Sequence, residues 1–257
     1  MRQFPSLLFL LVLLSLGFFP ADSSFKSEQL RYRRVQDAYV EKETLVKKWL
    51  SDQGIRSFRI DLYIRAFKEE NQLEIWVKER GQKQFVLLKQ YAFCKTSGDL
   101  GPKRRQGDGQ IPEGFYFIDR FNPVSNFYLS LGLNYPNAAD QLREKAKPSI
   151  ALGGDIFIHG DCVTIGCIPL TNDKIKEVYV LAVEARHAGQ AQIPVHIFPS
   201  RLSTARMKML HKGFTGQKDL LAFWENLKPG YDAFENTHQL PKVAVSPQGT
   251  YHFTGLR

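Results

Sequence analysis

Residues 156–170 read Ile-Phe-Ile-His-Gly-Asp-Cys-Val-Thr-Ile-Gly-Cys-Ile-Pro-Leu, and no other stretch limits the architecture as much. The short apolar run at residues 155–158 predicts a buried strand, and such a strand needs others beside it. The chain therefore has to build a sheet in which one strand ends on His159. A polar loop follows, and Gly166-Cys167 opens the approach to a helix that Asn172 or Asp173 can cap. Gly160 and Gly166 let the backbone bend tightly and are expected to leave their N–H groups free as donors.

The rest of the chain supplies the sheet. Residues 58–67 alternate, with Ile60, Leu62, Ile64 and Ala66 against Arg59, Asp61, Tyr63 and Arg65, which predicts a half-buried strand. Strands are also predicted at residues 73–78 and 84–93, joined by a turn at 79–82, and at 114–119 and 195–198. Residues 96–111 read as a long loop rich in Gly, Lys and Arg. Helices are fewer: an amphipathic one within 27–48, one around 140–147 ended by Pro148, one over 174–186 and one near 217–227. Residues 243–253 predict a hairpin turning at Pro247-Gln248-Gly249. Many strands with scattered helices give a β-rich α+β fold. There are no internal repeats and no glycine-rich phosphate loop. The 257 residues suffice for one large domain or two small ones with a substantial core.

Arg2 precedes an apolar run from Leu7 to Phe19 that is too short to span a bilayer comfortably and suits the core of a secretory signal. Cleavage is expected after Ser23, the alternative being an uncleaved anchor. The mature chain is expected to be exported, to a periplasm or beyond. Its 35 Lys and Arg against 26 Asp and Glu leave a net charge of +9, which favours polyanionic surroundings. Export sets nucleic acid aside as a partner and points to the cell wall, with peripheral membrane contact the other option. It also bears on the three cysteines, Cys94, Cys162 and Cys167: an oxidising compartment pairs thiols, and an odd count leaves one over.

A thiol and an imidazole eight residues apart across a short loop can come within reach of each other. An imidazolium beside Cys167 would lower the thiol pKa from about 8.5 toward neutrality and produce a nucleophile. Attack on a carbonyl then gives acyl transfer through a thioester. Three other readings compete: a structural His and Cys, a zinc site on His159, Cys162 and Cys167, and a Cys162–Cys167 disulfide. Zinc sites usually offer a second close ligand pair, which the chain lacks. Neither a metal nor a cofactor is expected.

The segment resembles the active-site signature of the L,D-transpeptidase catalytic domain, the YkuD family: His-Gly, then Ser or Thr, one residue, and Gly-Cys. Here these are His159-Gly160, Thr164 and Gly166-Cys167. Residues 107–118, Gly107-Asp108-Gly109-Gln110-Ile111-Pro112 through Ile118, resemble the family's turn and strand before the site. Residues 155–173, Phe121-Asn122-Pro123 and residues 129–137 look most like the YafK-type branch, as do Phe223-Trp224 and residues 227–232. The resemblance divides the chain into a signal peptide (1–23), an amino-terminal helical segment (24–57), a catalytic domain of mixed sheets (58–198) and an extension packed on it (199–257).

It implies that Cys167 is the nucleophile and His159 its proton acceptor and donor. The thiolate would attack a diaminopimelate carbonyl in a peptidoglycan stem peptide. An amine of a second stem, or of a wall-linked protein, would then take the acyl group; water in its place would make the chain an amidase. A non-catalytic wall-binding module is the alternative of another class. Ile165 and Pro169 stand where the common pattern has His or Arg, and Arg, so donor recognition must differ. Thr164 is expected to orient His159 or Cys167. Asp161 is expected to orient the imidazole or cap the loop. Lys103, Arg104, Arg105 and Tyr135 are expected to meet substrate. Cys94 and Cys162 could pair and leave Cys167 free, or Cys162 could oxidise Cys167.

Overall fold

A computed structural model describes residues 24–144 and 151–255. The predicted signal segment, and residues 145–147 of the predicted helix with Pro148, lie outside the described residues.

Eight strands form one sheet: β1 (Ile60–Phe67), β2 (Gln72–Glu79), β3 (Val86–Ala92), β4 (Gly114–Asn122), β5 (Ser130–Leu133), β6 (Phe157–His159), β7 (Ile168–Pro169) and β8 (Ile193–Phe198). Their order is β3-β2-β1-β8-β4-β5-β6-β7. The β1–β8 and β6–β7 pairs are parallel and the remaining pairs antiparallel. The sheet curls, so that its two edges meet just beyond β3 and β7. There the Cys94 N–H donates to the Pro169 carbonyl at 3.1 Å, and Cys94 is disulfide-bonded to Cys162. The α+β, β-rich class expected from the sequence is the one observed.

Helix α4 (Asn172–His187) packs against β1, β5, β6 and β8. Almost every residue from Ile175 to Ala185 is buried, because α1 (Phe25–Gln29) and α2 (Arg33–Asp52) cover its other side. Three polar ties hold that layer: Tyr39 donates to Glu184 at 2.9 Å, Tyr91 to Glu177 at 2.7 Å, and Tyr179 to Gln29 at 2.7 Å. The helix cap is Thr171, whose hydroxyl accepts from the Lys174 N–H. This corrects the expected Asn172 or Asp173 cap and leaves the Asn172 side chain for another use.

The opposite face of the sheet is covered too. Helix α6 (Lys218–Thr237) lies there with α5 (Thr204–Gly213) and the hairpin β9 (Lys242–Val245) and β10 (Tyr251–Thr254). β1 is thus buried on both faces rather than half-buried as its alternation implied. Tyr63 and Arg65 escape the usual cost of polar burial by being paired. The Tyr63 hydroxyl meets His196 Nδ1 at 2.8 Å, and Arg65 binds Glu74 at 2.7 Å and Glu235 of α6 at 2.5 Å. Further from β1, Trp224 of α6 donates to Glu113 at 2.8 Å, and Glu113 accepts from the Gly101 N–H and pairs with Lys68. The extension therefore anchors the long loop of residues 99–113. Helix α3 (Ala138–Glu144) closes the layer at the far end. No helix among the described residues is long and apolar enough to cross a membrane.

Candidate active site

His159 ends β6, and Cys167 immediately precedes β7, the parallel strand beside it. The register pairs Ile158 with Ile168 and His159 with Pro169. Side chains alternate along a strand. Ile158 and Ile168, both fully buried, point into the core, and His159 takes the other face of β6, while Cys167 lies in the turn that enters β7. Cys167 therefore stands at the entry to a strand that runs one spacing, about 4.8 Å, from the strand that ends on His159.

The loop between them is held from three directions. The Cys94–Cys162 disulfide ties it to the opposite edge of the sheet. The Asn172 carboxamide accepts from the Asp161 N–H at 2.8 Å, the use to which its side chain is put once Thr171 caps the helix. Asp161 takes a left-handed φ of 60°, which Asp tolerates better than most residues. At Gly160 a Cβ would collide with Asn172 Oδ1 and lie 3.0 Å from the Phe127 carbonyl, so only glycine fits.

The Thr164 hydroxyl organises the turn into Cys167. It accepts from the N–H groups of Gly166 (3.2 Å) and Cys167 (2.9 Å) and donates to the Cys167 carbonyl at 2.8 Å. It therefore positions Cys167 and does not touch His159. The same bonds correct the expectation of free amides at both glycines. Gly166 N–H is taken by Thr164, and Gly160 N–H donates to the Leu129 carbonyl at 3.0 Å, completing the β5 side of the sheet. Gly166 is still required as a glycine: its φ is 126° and a Cβ would lie 2.9 Å from the Gln110 carbonyl.

His159 is 1% exposed and stacks beside Phe127 at 4.7 Å. Its Nδ1 lies against the Gly160 carbonyl, which can only accept, so Nδ1 carries the hydrogen and Nε2 presents a lone pair. The backbone thus does the orienting for which Asp161 was a candidate. Burial holds the imidazole pKa below its ordinary 6.5 against the opposing pull of that carbonyl and of Asp161. Cys167 is half-buried and is the free cysteine among the three. Burial pushes its thiol up from 9.0 and the Asp155 carboxylate adds to this, while the Phe157 N–H and Lys103 work the other way. Sγ donates to the Asp155 carbonyl at 3.6 Å. Both directions favour the neutral thiol and the neutral imidazole over an ion pair.

The disulfide settles the fate of the other two cysteines. It excludes both a Cys162–Cys167 bridge and ligation of a metal by Cys162 while it is intact. Two of the expected substrate contacts are used internally. Lys103 is buried, with Nζ on the Asp108 carboxylate (2.7 Å) and the Arg105 carbonyl (2.8 Å), and Asp108 also accepts from the amides of Arg104, Arg105 and Gln110. Tyr135 is buried, its hydroxyl 3.3 Å from the Lys103 carbonyl. Both brace the loop that ends against Gly166. Arg104 and Arg105 remain at a cavity beside it. Asn172 and Leu129 were not anticipated as site-builders; the crowding around Gly160 identifies the first and the Gly160 N–H bond the second.

Residues 61–197 match the L,D-transpeptidase catalytic domain, YkuD. The chain is 44% identical over 186 residues to "Putative L,D-transpeptidase YafK" of Escherichia coli strain K12, covering 72% of this chain and 70% of that protein, and equally so to the same protein of E. coli O157:H7. Among solved structures, the helical cell shape determining protein Pgp2 from Campylobacter jejuni superposes with a TM-score of 0.43 at 18% identity, over 79% of this chain and 80% of that one. Bd1075 of Bdellovibrio bacteriovorus superposes at 0.37 and 22% identity, over 67% and 59%. The catalytic-domain match over most of the sheet, with the YafK likeness, makes this chain a member of the L,D-transpeptidase (YkuD) family.

Proposed function

We propose that the chain is an exported cysteine acyltransferase acting on peptidoglycan stem peptides. The observation that carries this reading is a single free thiol at the entry to the strand paired with the one that ends on His159, an imidazole whose Nδ1 is held by the backbone so that Nε2 carries the lone pair. In this reading the Cys167 side chain swings from the Asp155 carbonyl to His159. Nε2 takes the thiol proton as sulfur bonds to the peptide carbonyl carbon, so the ion pair forms only with substrate in place. Collapse of the tetrahedral adduct breaks the C–N bond, and His159 returns its proton to the leaving amine. A second amine then attacks the thioester, gives its proton to His159, and the sulfur leaves to be reprotonated. The amine belongs to a second stem or to a protein to be joined to the wall.

The family supports the peptide substrate, and the net charge of +9 suits a polymer bearing carboxylates. In the same proposal residues 1–23 direct export, residues 58–198 carry the chemistry and residues 199–257 brace them. The test is incubation of the mature chain with purified muropeptides and analysis of products by mass. Crosslinked dimers are expected. Shortened peptides would replace transfer with hydrolysis, and an unaltered pool alongside an unreactive Cys167 would leave a binding module. A carbapenem should add its mass to Cys167 and fail to do so in Cys167→Ala.

A further inference from the structure

The loop that ends against Gly166 has a second side. Residues 102–110, the end of α3 and the first turns of α6 enclose a cavity of about 670 Å³, a size suited to a ligand of a few residues. Three arginines line it: Arg104 and Arg105 from the loop and Arg143 from α3. The guanidiniums of Arg104 and Arg143 lie over one ring, that of Phe223 in α6, at 5.2 and 4.2 Å. Two cations sharing a ring repel each other, and an anion between them would relieve that repulsion.

Both guanidiniums are also short of acceptors. Among the described residues, Nη1 of Arg104 and Nη1 of Arg143 are buried with no hydrogen-bond partner. Glu144 forms an ion pair with Arg104 through Nε at 3.6 Å, too long for a hydrogen bond, and Arg143 spends Nη2 on the Asn226 carboxamide at 3.1 Å. Asp108, which also lines the cavity, is consumed by Lys103 and three loop amides. A carboxylate is the group whose paired oxygens match guanidinium donors. Glu144 and Asp219 share the lining, and their charge disfavours a dianion such as phosphate more than a singly charged carboxylate. The Phe223 ring suits the apolar atoms beside that carboxylate.

We propose that this cavity is a carboxylate subsite, in which Arg104 and Arg143 hold the free carboxylate of a peptide while the same chain of atoms is processed at Cys167. Gln110 connects the two places: it lines the cavity, and its carbonyl is the atom that bars a side chain at Gly166. The proposal rests on the reading of the chain as a peptide acyltransferase and adds a substrate feature recognised beside the thiol.

Binding is measured by calorimetry on the full mature chain carrying Cys167→Ala, so that turnover plays no part. The probes are N-acetyl-L-alanyl-D-alanine, its carboxamide, and inorganic phosphate. The free acid should bind at least tenfold more tightly than the carboxamide, and Arg104→Gln with Arg143→Gln should weaken it at least tenfold. Arg104→Gln alone, which removes no short hydrogen bond of that side chain, serves if the double variant unfolds. Equal binding of acid and carboxamide, an unchanged affinity in a folded Arg104→Gln, or tighter binding of phosphate would each overturn the subsite. With Cys167 intact, Arg104→Gln should raise KM and leave kcat in place. Absence of turnover in the wild type would remove the acyltransferase reading while the calorimetry still decides the subsite.

Discussion

His159 and His196 are buried almost equally, at 1% and 4% exposure, yet the protein surrounds them in opposite ways. His196 lies on the face covered by the carboxy-terminal extension, boxed by the rings of Tyr63 (4.7 Å) and Phe115 (4.6 Å), with Nδ1 on the Tyr63 hydroxyl. Complete burial, helped by the charge of Arg65, pushes its pKa down to about 3. His159 has its Nδ1 fixed by backbone, one ring beside it in Phe127, itself 40% exposed, and a thiol at the entry to the neighbouring strand. Burial by itself therefore does not distinguish a core histidine from a reactive one. On the proposed reading, what distinguishes them is whether the second nitrogen faces packed rings or a nucleophile that a substrate can reach.

Exchanging the two residues' fates is the sharpest way to break that contrast. His159→Gln should lower kcat/KM by about 10³-fold, within the usual range for loss of a general base, while the melting temperature stays close to wild type. His196→Phe should do the reverse. It leaves the Tyr63 hydroxyl buried without a partner, at a cost of about 1–3 kcal/mol read from denaturant unfolding, with kcat/KM preserved. If His196→Phe removed activity in a folded protein, the division between the two faces would be wrong.

The pH responses should separate in the same way. His196 has a folded pKa of about 3 against an ordinary 6.5. In that window the unfolded chain binds the proton and the folded chain does not, so stability is complete above 6.5 and falls as pH drops toward 3. The loss is on the order of several kcal/mol, since each pKa unit is worth about 1.4 kcal/mol, and His196→Phe should flatten it. For His159 the pKa is also lowered, and the base must be neutral to act. The acid limb of kcat/KM should therefore fall below pH 6.5. An acid limb at or above 6.5 would contradict the burial of His159.

The disulfide separates a scaffold effect from a chemical one. Cys94 and Cys162 are 68 positions apart, and closing a loop of that size restricts the unfolded chain by about 2–4 kcal/mol. Cys94→Ala should lower the unfolding free energy by that amount. Loosening residues 160–165 should also slow acylation, but by less than His159→Gln does. Reductant should reproduce both effects in the wild type and change nothing further in Cys94→Ala.

The sequence was most readable where chemistry is contiguous. Residues 156–173 hold strand, histidine, turn glycines, cysteine and helix start in one run, and each of these keeps its place in the structure. Legibility failed where a residue's role depends on a distant partner. Tyr63 and Arg65 alternate like solvent-facing positions, and only α6, some 170 residues later, buries them through Glu235 and Phe234. Lys103 reads as a free cation until Asp108 folds back on it. β5 and β7 span four and two residues, too short for any periodicity to register. α6 runs on past Leu227 through Pro229-Gly230, a pair that reads as a helix end. It continues because Gly230 lets the Phe115 and Phe253 rings approach the helix, with a Cβ there falling 2.7 Å from Phe115.

The smallest expected effect concerns Thr164, and it probes how much of the site's order is needed. Its hydroxyl accepts two amides and donates to the carbonyl of the nucleophile's own residue. Thr164→Val keeps the shape and removes those bonds. Two consequences then oppose each other: the Gly166 and Cys167 amides become free to stabilise an oxyanion, and the backbone that aims Sγ loses its clamp. Misplacing a nucleophile by about 1 Å can cost up to 10²-fold, whereas the released amides are no longer held in any one direction. The clamp should therefore dominate, with Thr164→Val lowering kcat about tenfold at unchanged KM and Thr164→Ser, which keeps the hydroxyl, restoring most of it. A rise in kcat for Thr164→Val would mean that Thr164 withholds the two donors in the resting enzyme and that catalysis begins when it lets them go.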